Sequence, residues 1–331
     1  MIFVIACCSR GCSHMNSVSS IRRYVRRRKG LLNAAALLVT TCLLSPGAHG
    51  QELEPRAYTN LPTGLNFLAV GYAHSQGGLS TDPSLPVTDA HLQIHTALLA
   101  YVRSLDLWGK SAKFDVIAPY SKLSGNAMLA GQAREREVSG FSDPRLRLSV
   151  NFYGAPALTV PEYAEYKRDL VIGASLQVMP PVGQYDETKV INLGSNRWAF
   201  KPDIGFSKSF LPLTLDLTFG ATFFTANDNY LGGKRLEQKP IYSTQGNISY
   251  DFGSGIWAAL GATYYMGGRT SLNGVARDDS LGNSRVGLTV SAPLNRYYSV
   301  KFNASTGIST RTGTNFDTLG LVLQYRWGAG L

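Results

Sequence analysis

Apolar and polar residues alternate along most of the chain, and the stretch 170–207 shows the pattern clearly. From Leu170 to Val178 every second residue is apolar, and the residues between them are mostly small or polar. The pattern returns over 197–208, where Trp198 and Phe206 share the apolar face. Successive side chains of a β-strand point to opposite faces, so each part predicts a strand with one apolar and one polar face. The prolines, glycines and polar residues of 180–196 predict a connecting loop.

The same unit recurs and predicts about twelve strands. They cover approximately 63–73, 91–102, 111–121, 144–154, 168–179, 197–208, 212–225, 240–252, 255–267, 284–293, 297–309 and 317–327. Strands of soluble proteins average about five or six residues, whereas a tilted strand that crosses a bilayer needs about 9–11. The sequence therefore predicts an all-β protein, a single transmembrane antiparallel up-and-down β-barrel.

The connections between these strands alternate in length. Long polar connections follow every odd-numbered strand, at 74–90, 122–143, 180–196, 226–239, 268–283 and 310–316. The other connections are short turns, except for 155–167. Long loops on one rim and short turns on the other are typical of bacterial outer-membrane barrels, and an even strand number places both termini in the periplasm.

A soluble β-sandwich is the alternative to a membrane barrel, and there the apolar face would form the core. Strand length and loop asymmetry favour the membrane, so we expect the apolar face to contact lipid and the polar face to line the lumen. Aromatic residues near strand ends, such as Tyr250, Phe252, Tyr297 and Trp327, fit the depth of the lipid headgroups.

The N-terminus reads as a secretory leader. A basic part at 21–30 precedes an apolar part at 31–44, and small residues lead to a cleavage site before Gln51. The apolar part is shorter than the roughly 20 residues of a membrane-spanning helix, which is the alternative. We predict a signal peptide over 1–50 with Met15 as a possible true start, a periplasmic segment over 51–62, a barrel over 63–327 and a tail over 328–331. The pattern leaves open whether the segment that ends at Pro62 enters the lumen.

The leader also explains the charge of the chain. Residues 1–50 hold seven of the 32 Lys and Arg and none of the 22 acids, which leaves 25 bases, 22 acids and a net charge of +3. The formal charge of +10 therefore does not predict a nucleic-acid partner. All four cysteines lie in the leader, so no disulfide stabilises the mature chain.

Little in the sequence predicts an enzyme. His91 and His95 would share a helix face, but on a strand they lie roughly 13 Å apart, too far to bind one metal ion. We expect them and His74 to be solvated and to face the lumen. A hydrolase would need a nucleophile beside a base, and no nucleophile motif accompanies the histidines. The sequence predicts no catalytic residue, no metal and no cofactor.

The predicted lumen is rich in charge, and eight of its eleven charged residues are basic. They are Lys113, Asp115, Arg145, Arg147, Arg197, Lys201, Asp203, Asp216, Arg285, Lys301 and Arg326. One hypothesis is a permeation path that prefers anions such as aromatic carboxylates. The other is a set of cross-strand ion pairs that brace the barrel. Three acids cannot neutralise eight bases, which favours the first.

Several segments in order resemble a known family. PPVGQYD with INLGSNRWAFKP, the block from Gln238 to Val275, and ASTGISTRTGTNFDTLGLVLQYRW are similar to the meta-pathway phenol-degradation family of bacterial outer-membrane β-barrel transporters. The resemblance covers nearly all of 60–327 and implies uptake of small molecules, such as aromatic or hydrophobic compounds of phenol pathways. It implies no catalytic or ligand-binding residues. One departure is the C-terminus, where Trp327 is followed by four further residues instead of ending the chain.

The expected partners are a small-molecule solute, outer-membrane lipid and the barrel-assembly machinery. A non-conducting structural or adhesion barrel is the alternative function, and a hydrolytic barrel comes third. The sequence defines neither the oligomeric state nor whether the lumen is open, because twelve strands lie between a barrel filled by side chains and a water channel.

Overall fold

The computed structural model describes residues 54–80, 87–129 and 131–330. The predicted signal peptide lies outside these residues. The strands are β1 Leu65–Ser80, β2 Val87–Leu107, β3 Lys110–Leu129, β4 Gln132–Phe141, β5 Arg145–Tyr153, β6 Leu170–Met179, β7 Ala199–Phe210, β8 Leu213–Phe224, β9 Asn227–Tyr230, β10 Lys234–Gln238, β11 Ile241–Gly253, β12 Ile256–Gly267, β13 Thr270–Leu272, β14 Val275–Ala276, β15 Leu281–Pro293, β16 Tyr298–Ser309 and β17 Gly313–Gly328. One short helix, α1, covers Val160–Glu165. No helix among the described residues has the length and hydropathy needed to cross a membrane.

The wall strands form a closed ring. β1 pairs antiparallel with β2 on one side and with β17 on the other, where Leu65 faces Gly328. Each wall strand pairs with its neighbours along the chain, and β2–β3 pairing completes the circuit. The result is a closed antiparallel barrel of twelve wall strands, as predicted.

One wall strand is interrupted. The extracellular part of β3 pairs with β4, and its periplasmic part pairs with β5. β4 and β5 therefore act as one strand broken at 142–144, where Pro144 stands. Above the break β4 pairs only with β3 among the described strands, which leaves its other edge available to the loop between β6 and β7.

The two faces of the wall confirm the predicted alternation. On β8, Leu213, Leu215 and Leu217 are exposed on the outside, whereas Thr214 and Asp216 are buried inside. β12 and β15 repeat the arrangement, and the outward Leu260 is 65% exposed. An apolar exterior around a polar interior is stable in lipid, because the closed ring satisfies the backbone hydrogen bonds.

Aromatic rings gather at the periplasmic rim. Tyr325 stacks on Trp327 with 5.4 Å between ring centroids and lies 5.0 Å from Tyr298, while Tyr250 lies 4.7 Å from Phe252. Amphipathic rings at this level fit the lipid headgroup region.

Several predicted loops are wrong in detail. We expected loops over 74–90 and 122–143, but β1, β2, β3 and β4 continue through most of both ranges. The connections 226–239 and 268–283 contain β9, β10, β13 and β14, which form a small four-stranded sheet. The connection 155–167 contains α1, where the carboxylate of Glu162 accepts hydrogen bonds from the backbone and hydroxyl of Thr159. The backbone hydrogen bond, followed by that from the hydroxyl, lowers the pKa of Glu162.

Candidate transport path

The N-terminal segment, Glu54–Pro62, folds into the periplasmic half of the lumen. Its partners are inward-facing side chains of β3, β5, β7, β8, β11 and β12. The segment is joined directly to β1, and Thr63 donates a backbone hydrogen bond to Leu158 before the strand begins. The segment therefore lies across the lumen instead of hanging below it.

Tyr58 is the aromatic residue of the segment and is 4% exposed. It lies against Gly173 and Gly205 on adjacent strands, and a Cβ atom on Gly205 would come within 2.0 Å of the ring. The hydroxyl of Tyr58 donates a hydrogen bond to Asp203, whose other carboxylate oxygen accepts one from Ser175 at 2.9 Å. The wall thus has a slot, formed by two glycines, that accommodates this ring.

The first residues of the segment contact charged wall residues. The Glu54 carboxylate lies 2.6 Å from Arg147, which also contacts Asp115 on the neighbouring strand at 3.1 Å. Lys113 donates to the carbonyl oxygen of Ala57. These contacts combine a cross-strand ion pair with a bridge to the segment.

Arg56 anchors the other side of the segment. Its backbone N–H donates to Asp216 at 3.1 Å, and its guanidinium lies 3.6 Å from Asp251 and stacks over Trp257. The ring of Trp257 also has the ammonium of Lys301 at 6.0 Å from its centroid. The lower part of the lumen is therefore occupied by polar contacts around the segment.

The remaining predicted lumen residues lie elsewhere along the barrel. Arg145 and Lys201 are half-buried on β5 and β7. Arg285 is buried on β15 and donates to the hydroxyl of Ser305 at 3.1 Å. Arg326 lies at the periplasmic rim and donates to the carbonyl oxygen of Arg296. Arg197 precedes β7 at the extracellular end. The structure thus brings Lys113, Asp115, Arg147, Asp203, Asp216 and Lys301 around one segment and disperses the others.

The extracellular half of the lumen contains an apolar cluster. The cluster consists of Leu92, Leu123, Val138 and Phe316, with Leu79, Ile94, Ile191 and Leu193 packed against it. Most of these residues face inward from wall strands, but Ile191 and Leu193 come from the connection 180–198, which we call the mouth loop. A path through the barrel therefore passes from an apolar mouth to a polar interior.

Asp143, at the break between β4 and β5, holds the mouth loop in place. Its carboxylate accepts hydrogen bonds from the backbone of Gly183 at 2.9 Å and from the backbone and hydroxyl of Ser195 at 2.7 Å. The backbone of Gln184 donates to Phe141 at 2.7 Å and so covers the edge of β4. A Cβ on Gly194 would lie 2.7 Å from the Gly183 backbone, so two turns of the loop cross there in close contact.

Asn227 at the start of β9 connects the mouth loop to the β9–β10 hairpin through hydrogen bonds. Its side chain is 1% exposed and donates to the hydroxyl of Tyr185 at 2.9 Å and to the carbonyl oxygen of Ser195 at 3.2 Å. The mouth loop is thus fixed from two sides.

The predicted position of the histidines is wrong. His74 and His95 face each other across β1 and β2 with ring centroids 4.6 Å apart, and the hydroxyl of Tyr72 is 2.6 Å from His95. Tyr72 is 52% exposed on the outer face, so the histidines share that face rather than the lumen. His91 lies on the same face of β2, four residues away. Among the described residues, no group of three His, Cys, Asp or Glu side chains converges as metal ligands would.

The sequence pattern does not mark the residues that organise the path, namely Glu54, Arg56, Tyr58, Asp143 and Asn227. Their contacts join positions far apart in sequence, and none belongs to a periodic pattern. One available signal was the pair of glycines in PPVGQYD and INLGSN, because close backbone contacts require residues without a side chain.

The closed ring, the apolar exterior and the polar lumen define an outer-membrane β-barrel. The chain belongs to the family described as "Putative MetA-pathway of phenol degradation", which matches residues 74–326. The match spans both the mouth loop and the small extracellular sheet.

Several solved structures are similar to this chain. An outer-membrane channel from Pseudomonas putida F1 is 20% identical, covers 83% of this chain and 100% of its own, and superposes with a TM-score of 0.72. The transport unit of the autotransporter AIDA-I from Escherichia coli is 9% identical over 83% of this chain and 93% of its own, with a TM-score of 0.48. The KdgM porin, solved with disordered oligogalacturonate, is 11% identical over 78% of this chain and 98% of its own, with a TM-score of 0.41. No curated protein gave a match.

Proposed function

We propose that this protein is an outer-membrane channel for small molecules, with aromatic or hydrophobic compounds such as phenol-pathway substrates as its cargo. The observation that carries the proposal is the N-terminal segment inside the barrel. A lumen that accommodates a folded stretch of backbone with a tyrosine ring is wide enough for a single-ring solute once the segment moves. A barrel filled by its own wall side chains would lack this space.

The two ends of the path support the choice of cargo. The apolar cluster of the mouth favours a solute with an apolar body. The interior below also carries cations such as Lys113 and Arg147, and positive charge attracts anions. A small aromatic acid combines both properties, and membership of a phenol-degradation family fits such a solute.

The segment is held by hydrogen bonds and ion pairs at the periplasmic end, so the resting channel is closed. Most of these contacts are polar and can be exchanged for water, whereas the ring of Tyr58 must leave its slot in the wall. Opening requires only that the segment leave the lumen, while the wall stays intact.

The test is single-channel conductance in planar bilayers with the mature chain and with a chain lacking residues 54–60, each in the presence of benzoate or phenol. We expect rare openings for the mature chain and frequent discrete steps for the shortened one, reduced by an aromatic solute. Heat-modifiable gel mobility verifies that both barrels are folded. If the shortened barrel is folded but shows no conductance, the result would favour the structural or adhesion role instead.

A further inference from the structure

A cavity of about 280 Å³ lies under the mouth loop, on the side facing β9 and β10. Its walls include Val190 and Leu193 of the loop, Leu236 of β10, and the rings of Tyr185 and Tyr230. Arg197 also lines the cavity. Pockets for drug-sized ligands measure about 300–1,000 Å³, so this cavity suits a molecule of one ring.

Arg197 is a partly buried cation that forms no ion pair within the part of the chain that the structure describes. Its Nη2 donates to the side-chain oxygen of Gln238, and its guanidinium stacks over Phe224 at 4.4 Å from the ring centroid. Its Nη1 is buried and has no hydrogen-bond partner among the described residues. A buried charge without a counter-ion is costly, and an anion in the cavity would remove that cost.

The other polar groups of the cavity are already engaged. Asp143 is the acid in its wall, but both carboxylate oxygens accept hydrogen bonds from the mouth loop. The hydroxyl of Tyr185 donates to Asn229 and accepts from Asn227. Arg197 is therefore the residue of the cavity wall that offers positive charge to a ligand, and its guanidinium is the group to which an oxygen of the ligand would bind.

We propose that this cavity binds a small aromatic carboxylate. Arg197 binds the carboxylate group, and the apolar wall of the cavity packs against the ring. The inference deepens the proposed function, because it names a first binding site on the extracellular side of the path. One guanidinium donor beside apolar residues suits a singly charged carboxylate better than a phosphate, which needs several donors.

The site also follows from how the mouth loop is built. The hydrogen bonds of Asp143 and Asn227 fix the loop on both sides of the cavity. The backbone that carries Arg197 is therefore held in place. A ligand held there would lie between the extracellular medium and the apolar cluster that leads inward.

The test is isothermal titration calorimetry of the purified mature chain in detergent, with benzoate, its neutral isostere benzamide, and inorganic phosphate as probes. We expect benzoate to bind, benzamide and phosphate to bind at least tenfold more weakly, and R197Q to lose at least tenfold in benzoate affinity. R197K, which keeps the charge but loses the planar fork, should lie between them. R235Q is the matched control, because Arg235 is exposed on the neighbouring hairpin and pairs with Asp228 and Glu237.

Equal benzoate affinity for R197Q and the native chain would overturn the proposal, as would equal affinity for benzoate and benzamide or no benzoate binding by the native chain. If R197Q fails the gel-mobility test for folding, R197K and the benzamide comparison decide the question. Conductance of the chain lacking residues 54–60 tests the channel separately. If the barrel conducts ions but does not bind benzoate, only the proposed binding site is refuted. If the barrel binds benzoate but shows no conductance, only the proposed channel function is refuted.

Discussion

The hydroxyl of Tyr58 donates a hydrogen bond to the carboxylate of Asp203, and the two residues are 145 positions apart in the chain. Tyr58 belongs to the N-terminal segment and Asp203 to the wall of the barrel. This single contact joins the part of the chain proposed to move with the part that stays fixed.

The Tyr58–Asp203 contact should control how often the channel opens. Tyr58→Phe removes the donor and keeps the ring in its slot. Hydrogen bonds to charged groups contribute about 1.5–3 kcal/mol, so we expect the ratio of open to closed channels to rise about tenfold to a hundredfold. Single-channel open probability measures the change, and an unchanged value would show that this contact does not hold the segment.

The glycine slot gives a second test of the same closure. Gly205→Ala places a methyl group where the ring of Tyr58 lies, so the segment must leave its position. We expect trypsin to cleave after Arg56, which is shielded in the native chain. Gly246→Ala is the control, because a Cβ atom there would lie 4.0 Å from the backbone oxygen of Asp216, which is ordinary van der Waals contact. Equal cleavage of the two variants would contradict the slot.

Basic residues of the lumen should determine ion selectivity. We expect Arg145→Ser together with Arg147→Ser, made in the chain lacking residues 54–60, to reduce anion over cation permeability because the path loses positive charge. Reversal potentials in a salt gradient measure the ratio. Unchanged ion selectivity would indicate that these charged residues stabilise the wall of the barrel and do not select ions.

Asp143 should determine the order of the mouth loop. Asp143→Ala removes the acceptor of three hydrogen bonds from Gly183 and Ser195, so the loop should detach from β4. We expect faster tryptic cleavage after Lys189, which lies in this loop. Asp228→Ala removes an acid from an exposed ion pair nearby and should leave cleavage unchanged.

The proposed carboxylate site predicts a pH dependence. Burial lowers the pKa of Arg197 to about 10, so the guanidinium is charged below that pH and neutral above it. Affinity for benzoate should therefore be constant near neutral pH and should fall as the pH rises through about 10. Calorimetric titrations over this range measure it, and R235Q should show the same profile as the native chain.

The strands were predictable because lipid imposes a strict pattern on them. Wherever a strand crosses the bilayer, its outer face must be apolar, and β8 and β15 show this alternation in sequence. Above the bilayer both faces meet water, so the extracellular parts of β3 and β4 carry no such pattern although their pairing continues. The same loss of pattern explains the misassigned face of His74 and His95.

The path itself was less predictable. Charged residues such as Asp115 and Arg147 were identified as inward-facing from their strands, but their contacts with Glu54 depend on a segment without periodicity. Asp143 reads in sequence as an ordinary turn residue, and its role follows only from where the mouth loop folds. Contacts between distant parts of the chain require the three-dimensional arrangement.

The N-terminal segment is attached to β1 by Thr63 and Gly64, so it is a ligand tethered beside its own binding site. A short tether keeps the local concentration of such a ligand in the millimolar range. A free peptide with the sequence of the segment would need a comparable concentration to compete, whereas the attached copy rebinds without any encounter between molecules. Under the proposed function the barrel would carry its own intramolecular inhibitor, whose effect would not depend on how many copies of the protein the membrane holds.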